Sequence, residues 1–176
     1  MYLILCHLRP EFAYQPLVSF LAPLSPPSSP SFNIGITAAY AVGWAMMYGG
    51  AQLRLLCYRT LGRNFTYQLS VRKDHELVTS GPYKIVRHPS YTAAFTCFFG
   101  RTICMFGPGS WFIECGVGST KWGKVLAGTW AVLGWIMSML MLKRVGKEDE
   151  VLKETFKSKW EAWAKETPNV FIPYIY

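Results

Sequence analysis

The chain has 176 residues, of which 51% are hydrophobic and only 16% charged, with a formal net charge of +8. That length suits one domain rather than two, and the charged share falls well short of the roughly 25% typical of soluble domains. With a mean hydropathy of +0.17 and its apolar residues gathered in runs, the composition suits lipid better than a soluble core.

Taken in chain order, Phe12–Leu24 is apolar but short and interrupted by Pro16. It reads as a weak span or an interfacial piece, and the lack of a basic region before it argues against a signal peptide. "PLSPPSSPSFN" (Pro23–Asn33) is a stiff polar linker that separates residues 1–33 from residues 34–176. Ile34–Leu53 carries no charge, and about 20 apolar residues suffice to cross a bilayer as a helix. Within it Gly35, Ala39 and Gly43 recur every four positions, which predicts either a smooth face for close helix contact or a chance scatter of small residues.

Arg54–His88 is polar and carries Arg54, Arg59, Arg63, Arg72, Lys73, Lys84 and Arg87, together with the sequon Asn64-Phe65-Thr66. Tyr91–Ile113 is a further candidate span, interrupted by Arg101 and by Gly107-Pro108-Gly109. Val125–Leu142 is another, fenced by Lys124 and by Lys143 and Arg144. In the tail, Leu152, Phe156, Trp160 and Trp163 fall at spacings of four, four and three. That pattern predicts one amphipathic helix, lying on a membrane surface or packed against the protein, with Pro168 and Pro173 ending it.

The two basic regions flank the apolar runs, so the positive charge reads as membrane topology and not as nucleic-acid contact. Lys and Arg mark cytosolic flanks. Both regions share that side if Tyr91–Ile113 and Val125–Leu142 cross out and back. The expected fold is therefore all-α, a multi-span transmembrane helical bundle with a cytosolic C-terminal helix. A cytosolic sequon carries no glycan.

Several familiar signals fail on inspection. "GSTKWGKV" (Gly118–Val125) has the G-x-x-x-x-G-K spacing of a phosphate loop but lacks the Ser/Thr after the lysine, and no strand precedes it. Cys6, Cys57, Cys97, Cys104 and Cys115 form no C-x-x-C pair and read as small apolar residues. His7, His75 and His88 lie far apart, so no metal site is expected.

The stretch "TSGPYKIVRHPSYTAAF" (Thr79–Phe95) is the most informative. Ser80-Gly81-Pro82 signals a turn, and Pro89 biases His88 toward extended backbone. Proline is favoured in a first helical turn, so Pro89 is expected to start the following span. Arg87 and His88 then sit beside backbone N–H groups of a kind that bind polar or anionic ligands, flanked by Tyr83 and Tyr91. Interfacial anchoring by Tyr and Arg is the alternative. A second polar cluster tips the balance: Arg144 and Glu148 are spaced for one helix face, and Asp149 and Glu150 follow. Anchoring does not explain three consecutive acids at a lipid boundary, and the hairpin topology brings both clusters to the same side.

These two blocks, "ELVTSGPYKIVRHPSYTAAF" and "KRVGKEDEVLKETFKSKWEAWAKETPNVFIPYIY", resemble the C-terminal region of the isoprenylcysteine carboxyl methyltransferase family, with a weaker likeness to phospholipid N-methyltransferases. Departures fall at Ala93 and at Lys157, where many members carry glycine. The resemblance implies a multi-span endoplasmic reticulum protein that methylates a prenylated C-terminal cysteine using S-adenosylmethionine. It implies that Tyr83, His88, Pro89, Tyr91, Glu148 and Asp149 hold the cofactor and that Arg87 or Arg144 orients the substrate carboxylate. The implied partners are the bilayer and prenylated protein C-termini. The rival readings are a phospholipid or other small-lipid N-methyltransferase, a sterol-reductase-like protein and a non-catalytic membrane scaffold.

Overall fold

A computed structural model describes residues 34–64 and 76–172. The Phe12–Leu24 run, the linker through Asn33, Phe65 and Thr66 of the sequon, and Pro173 lie outside the described residues. Among the described residues every regular element is helical: α1 (Ala38–Leu61), α2 (Pro89–Phe106), α3 (Trp111–Glu114), α4 (Lys121–Phe156) and α5 (Ser158–Glu166). Short 3-10 turns occupy Gly62–Asn64, Gly81–Lys84 and Val117–Ser119. The all-α expectation holds. By length and composition, α4 is the one helix among the described residues apolar enough to cross a membrane. Its 36 residues extend about 54 Å at 1.5 Å per residue, well beyond a hydrocarbon core of roughly 30 Å.

The chain divides into two compact units, residues up to Met46 with Phe99–Gly134, and Met47–Phe98 with Trp135–Tyr176. Helices α1, α2 and α4 each supply a stretch to both.

Local chemistry sets the helix ends, and it moves several predicted boundaries. Helix α1 starts at Ala38 rather than Ile34, because the Thr37 hydroxyl accepts the Tyr40 N–H at 3.2 Å and donates to the Pro108 carbonyl at 2.8 Å. It runs past Leu53 to Leu61, since Leu, Arg and Tyr tolerate a helix well whatever the surrounding medium. Gly62, at φ 50°, then stops it. Helix α2 starts at Pro89 as expected but ends at Phe106. Ile113 belongs instead to the separate α3, reached through Gly109 at φ 79°. Helix α3 is closed at its start by Ser110, whose hydroxyl accepts the Ile113 N–H, and by Glu114, which accepts the Gly109 N–H at 3.0 Å.

In the first unit, Ile34, Phe112, Cys115 and Val117 form the core, with Phe106 and Ala127 against it. The false phosphate loop is part of this packing: Gly123 is buried against the Val117 backbone, and Thr120 caps α4 by accepting the Gly123 N–H at 2.9 Å. In the second unit the core is Cys57, Tyr83 and Trp163, backed by Leu53, Leu61, Leu77, Val78 and Trp160.

Close helix contact also differs from the four-residue pattern. Gly35 precedes α1 and has nothing near its missing Cβ. The close approaches are at Gly43 in the first unit and Gly50 in the second. A Cβ on Gly43 would lie 2.7 Å from the Gly100 carbonyl, and one on Gly50 2.8 Å from that of Ala93. Beside each glycine a thiol reaches back to α1, Cys104 to the Tyr40 carbonyl at 3.6 Å and Cys97 to that of Met47 at 3.4 Å. Small residues let the backbones approach, and cysteine supplies a weak donor without bulk.

The tail departs most from its prediction. Leu152 and Phe156 end α4, while Trp160 and Trp163 lie in α5, so they do not share one continuous helix. The break is at Lys157, at φ 46° and ψ −115°, the one non-glycine residue with positive φ among the described residues. Trp163 is 5% exposed, so this part of the tail packs on the protein.

Candidate active site

The second unit brings the two polar motifs together. His88, 4% exposed, places its Nε2 2.9 Å from Asp149 Oδ1. The Tyr91 hydroxyl donates to Glu148 Oε2 at 3.0 Å and also has a side-chain hydrogen bond with Arg144. Arg87 Nη2 lies 3.6 Å from Asp149 Oδ2, so Asp149 joins two consecutive residues of the turn. Two features of the fold produce this convergence. Pro89, fully buried, fixes where α2 begins and thus where His88 and Tyr91 sit. Helix α4 continues past its apolar run without interruption, carrying Arg144 and Glu148 on one face and Asp149 on the adjoining one.

Tyr83 lies just upstream, in the Gly81–Lys84 turn, and is 8% exposed. Its hydroxyl hydrogen-bonds the Cys57 side chain. Burial foremost, then the Cys57 thiol and the Glu148 carboxylate, pushes the Tyr83 hydroxyl far above the ordinary phenol range. It therefore acts as a neutral hydroxyl throughout the physiological range.

One expectation needs correction. The backbone N–H groups of Arg87 and His88 are not open to a ligand: they donate to the carbonyls of Asn169 at 2.9 Å and Val170 at 3.0 Å. The segment after α5 lies along the Arg-His-Pro turn like a short strap. Thr92 Oγ1 donates to the Phe171 carbonyl at 2.7 Å, and Thr167 Oγ1 to that of Lys84 at 3.3 Å. The Trp163 indole donates to the Tyr83 carbonyl at 3.1 Å. The Phe171 ring packs edge-on against Phe95 at 6.2 Å. None of these strap residues was singled out from the sequence as part of a site. Thr92 stands within the Arg-His-Pro block, so its place one turn after His88 was the available signal.

Arg87 is held twice, by Asp149 and by the Trp160 ring, whose centroid lies 5.8 Å from the guanidinium carbon. Its Nε and the Trp160 Nε1 are buried donors without an acceptor among the described residues. Each such donor costs about 1–3 kcal/mol, a price the stacking of guanidinium on indole only partly offsets. Arg144 is exposed and meets the Tyr91 hydroxyl.

Donors, acceptors and charge suit the cofactor that the sequence resemblance implies. Glu148 and Asp149 offer carboxylate oxygens to hydroxyl or ammonium groups, with neutral phenols beside them.

The profile of the isoprenylcysteine carboxyl methyltransferase family matches residues 43–115. The chain is 27% identical over 135 residues to protein-S-isoprenylcysteine O-methyltransferase B of Arabidopsis thaliana, which covers 76% of this chain and 58% of that protein. It is 32% identical over 126 residues to protein-S-isoprenylcysteine O-methyltransferase of Dictyostelium discoideum, covering 70% of this chain and 45% of that protein. To the Rattus norvegicus protein of the same name it is 37% identical over 75 residues, 42% of this chain and 26% of that one. The chain thus spans less than two thirds of the length of these relatives. The same methyltransferase name recurs among relatives from plant, amoeba and mammal, and the family profile takes in the whole Arg-His-Pro turn; over these residues the chain is similar to the isoprenylcysteine carboxyl methyltransferase family.

Proposed function

We propose that this chain methylates the C-terminal carboxylate of a prenylated cysteine from S-adenosylmethionine, as a multi-span protein of the endoplasmic reticulum membrane with its site and C-terminus on the cytosolic side. The observation that carries the reading is the joining of the two motif blocks through His88–Asp149 and Tyr91–Glu148. S-adenosylmethionine supplies an electrophilic methyl group on a sulfonium. Glu148 and Asp149 bind and orient it, and their negative charge suits its positive end. His88 and Arg87 hold Asp149 in place. Tyr83 and Tyr91 contribute neutral hydroxyls and aromatic surface.

The acceptor carboxylate, with an ordinary pKa near 3.5, is already ionised. The protein therefore needs only to desolvate it and align it, and orientation alone supplies several kcal/mol of the barrier. Arg144, exposed and hydrogen-bonded to Tyr91, is the cation that guides it. An amine acceptor would first have to lose a proton, yet the two residues suited to take it, His88 and Glu148, are both engaged. A prenyl chain adds about 0.8 kcal/mol per buried methylene and enters from lipid.

The test is methyl transfer by the full chain in lipid, offered a farnesylated cysteine analogue or phosphatidylethanolamine. Methylation of the carboxylate substrate is expected. Transfer to the phospholipid amine alone would overturn the reading in favour of an N-methyltransferase. No transfer and no binding of the demethylated cofactor would leave a scaffold.

A further inference from the structure

We propose that Arg101, held against Trp130 near the end of α2, binds the phosphate of an anionic phospholipid. The inference rests on reading α2 and α4 as membrane helices and is independent of the methyl-transfer chemistry. Arg101 is the single charged residue of α2. It is exposed, and among the described residues no carboxylate pairs with it. An ionisable group in an apolar helix is costly and marks a site.

The arginine is also organised in advance. Its guanidinium carbon lies 4.8 Å from the Trp130 ring centroid. The ring is itself fixed, because the indole N–H donates to Thr102 Oγ1 at 3.1 Å and Phe106 packs edge-on at 6.1 Å. One face of the guanidinium therefore rests on the indole, while its edge keeps a fork of donors that matches a phosphate in shape and charge.

The surroundings identify the ligand. Phe99 on α2 and Leu126, Val132 and Leu133 on α4 are exposed apolar side chains, which acyl chains would cover. The anion abundant in such a medium is a lipid phosphate. Arg101 stands five residues before the end of α2, about 7.5 Å at helical rise, within the reach of an arginine extending to a headgroup layer. Trp122, Lys121 and Lys124 are exposed at the start of α4, as at a membrane boundary. The one acid nearby in sequence, Glu114, has an oxygen committed to the Gly109 N–H. The charge of Arg101, unpaired among the described residues, thus favours a headgroup of net negative charge.

The experiment is native mass spectrometry of the purified full chain with phosphatidylglycerol, phosphatidylcholine or inorganic phosphate, with methyl transfer measured on the same preparations. Wild type is expected to retain phosphatidylglycerol over phosphatidylcholine. Arg101→Gln should lower phosphatidylglycerol affinity about tenfold, the worth of one hydrogen bond to a charged group, and phosphatidylcholine affinity by less, because choline already offsets the charge of its phosphate. Thr102→Val, which frees the indole but keeps every charge, should weaken it several-fold and covers the case in which Arg101→Gln does not fold. Unchanged phosphatidylglycerol binding in the folded variants would overturn the proposal. So would displacement of the lipid by an equal concentration of inorganic phosphate. Loss of lipid preference with methyl transfer intact separates this site from the active site; lipid preference without any methyl transfer would sink the proposed function alone.

Discussion

Asp149 accepts from the buried imidazole of His88 at 2.9 Å and, with its other oxygen, faces the guanidinium of Arg87. One carboxylate on α4 therefore fixes two side chains that stand 61 and 62 residues before it in sequence, and the candidate site depends on that tie. Asp149→Ala should weaken binding of the demethylated cofactor about tenfold or more, because it leaves a buried donor unpaired at roughly 1–3 kcal/mol. Asp149→Asn, which keeps an acceptor for His88 and loses the charge facing Arg87, should be milder. Equal affinity in wild type and both variants, measured by calorimetry, would show that the tie serves folding alone.

Lys157 lies at φ 46° and ψ −115°, a region that costs a residue with a Cβ about 1–3 kcal/mol. Glycine has no such cost. Lys157→Gly is accordingly expected to raise the thermal unfolding midpoint, and Lys157→Ala to leave it nearly unchanged. A lower midpoint for glycine than for alanine would contradict the strain at this position.

The contact at Gly50 leaves no room for a side chain. A Cβ there would meet the Ala93 carbonyl at 2.8 Å and Cys97 Sγ at 2.6 Å; the carbonyl belongs to backbone that cannot swing aside. Gly50→Ala should destabilise by about 1–3 kcal/mol, and Gly50→Val by more. Gly35→Ala, with nothing near its Cβ, is the control and should be neutral. Equal unfolding midpoints for the Gly35 and Gly50 variants would rule out the close approach.

Tyr83 yields a pH dependence. Its hydroxyl titrates far above its ordinary value near 10, chiefly because it is buried. A raised pKa in the folded state means that its stabilising contribution is complete below about pH 10, where both states keep the proton. It declines as pH rises above that value, because the unfolded chain then loses the proton first. Unfolding measured from pH 8 to 11 should show stability falling at the alkaline end. Tyr83→Phe should flatten that part of the curve; an unchanged slope would mean that the hydroxyl is not shielded as described.

Much of the site could be read from residue order. Pro89 predicted where α2 begins, and the acids after Arg144 marked the second half of the site, because proline geometry and charge next to an apolar run are local signals. The span limits were less legible. Thr37 caps α1 through its own hydroxyl and a carbonyl 71 residues away, and Arg54 and Arg59 continue the helix where charge suggested an end. The four-residue spacing of Gly35, Ala39 and Gly43 was a misleading regularity: which glycine needs its missing side chain depends on what stands opposite, and that is Gly100 for Gly43 and Ala93 for Gly50.

The amino-acid order by itself determined the helical class, the apolar length of α4 and the residues of the two polar blocks, since each follows from composition or from spacing along the chain. Tertiary structure alone decided that the strap from Thr167 to Phe171 takes up the Arg87 and His88 N–H groups and that the tail bends at Lys157. It also decided that Trp163 is buried against Tyr83. The reason is physical: a backbone donor or a lysine carries no local mark of its eventual partner or dihedral angle, and both are set only when segments distant in sequence compete for the same space and the same hydrogen bonds.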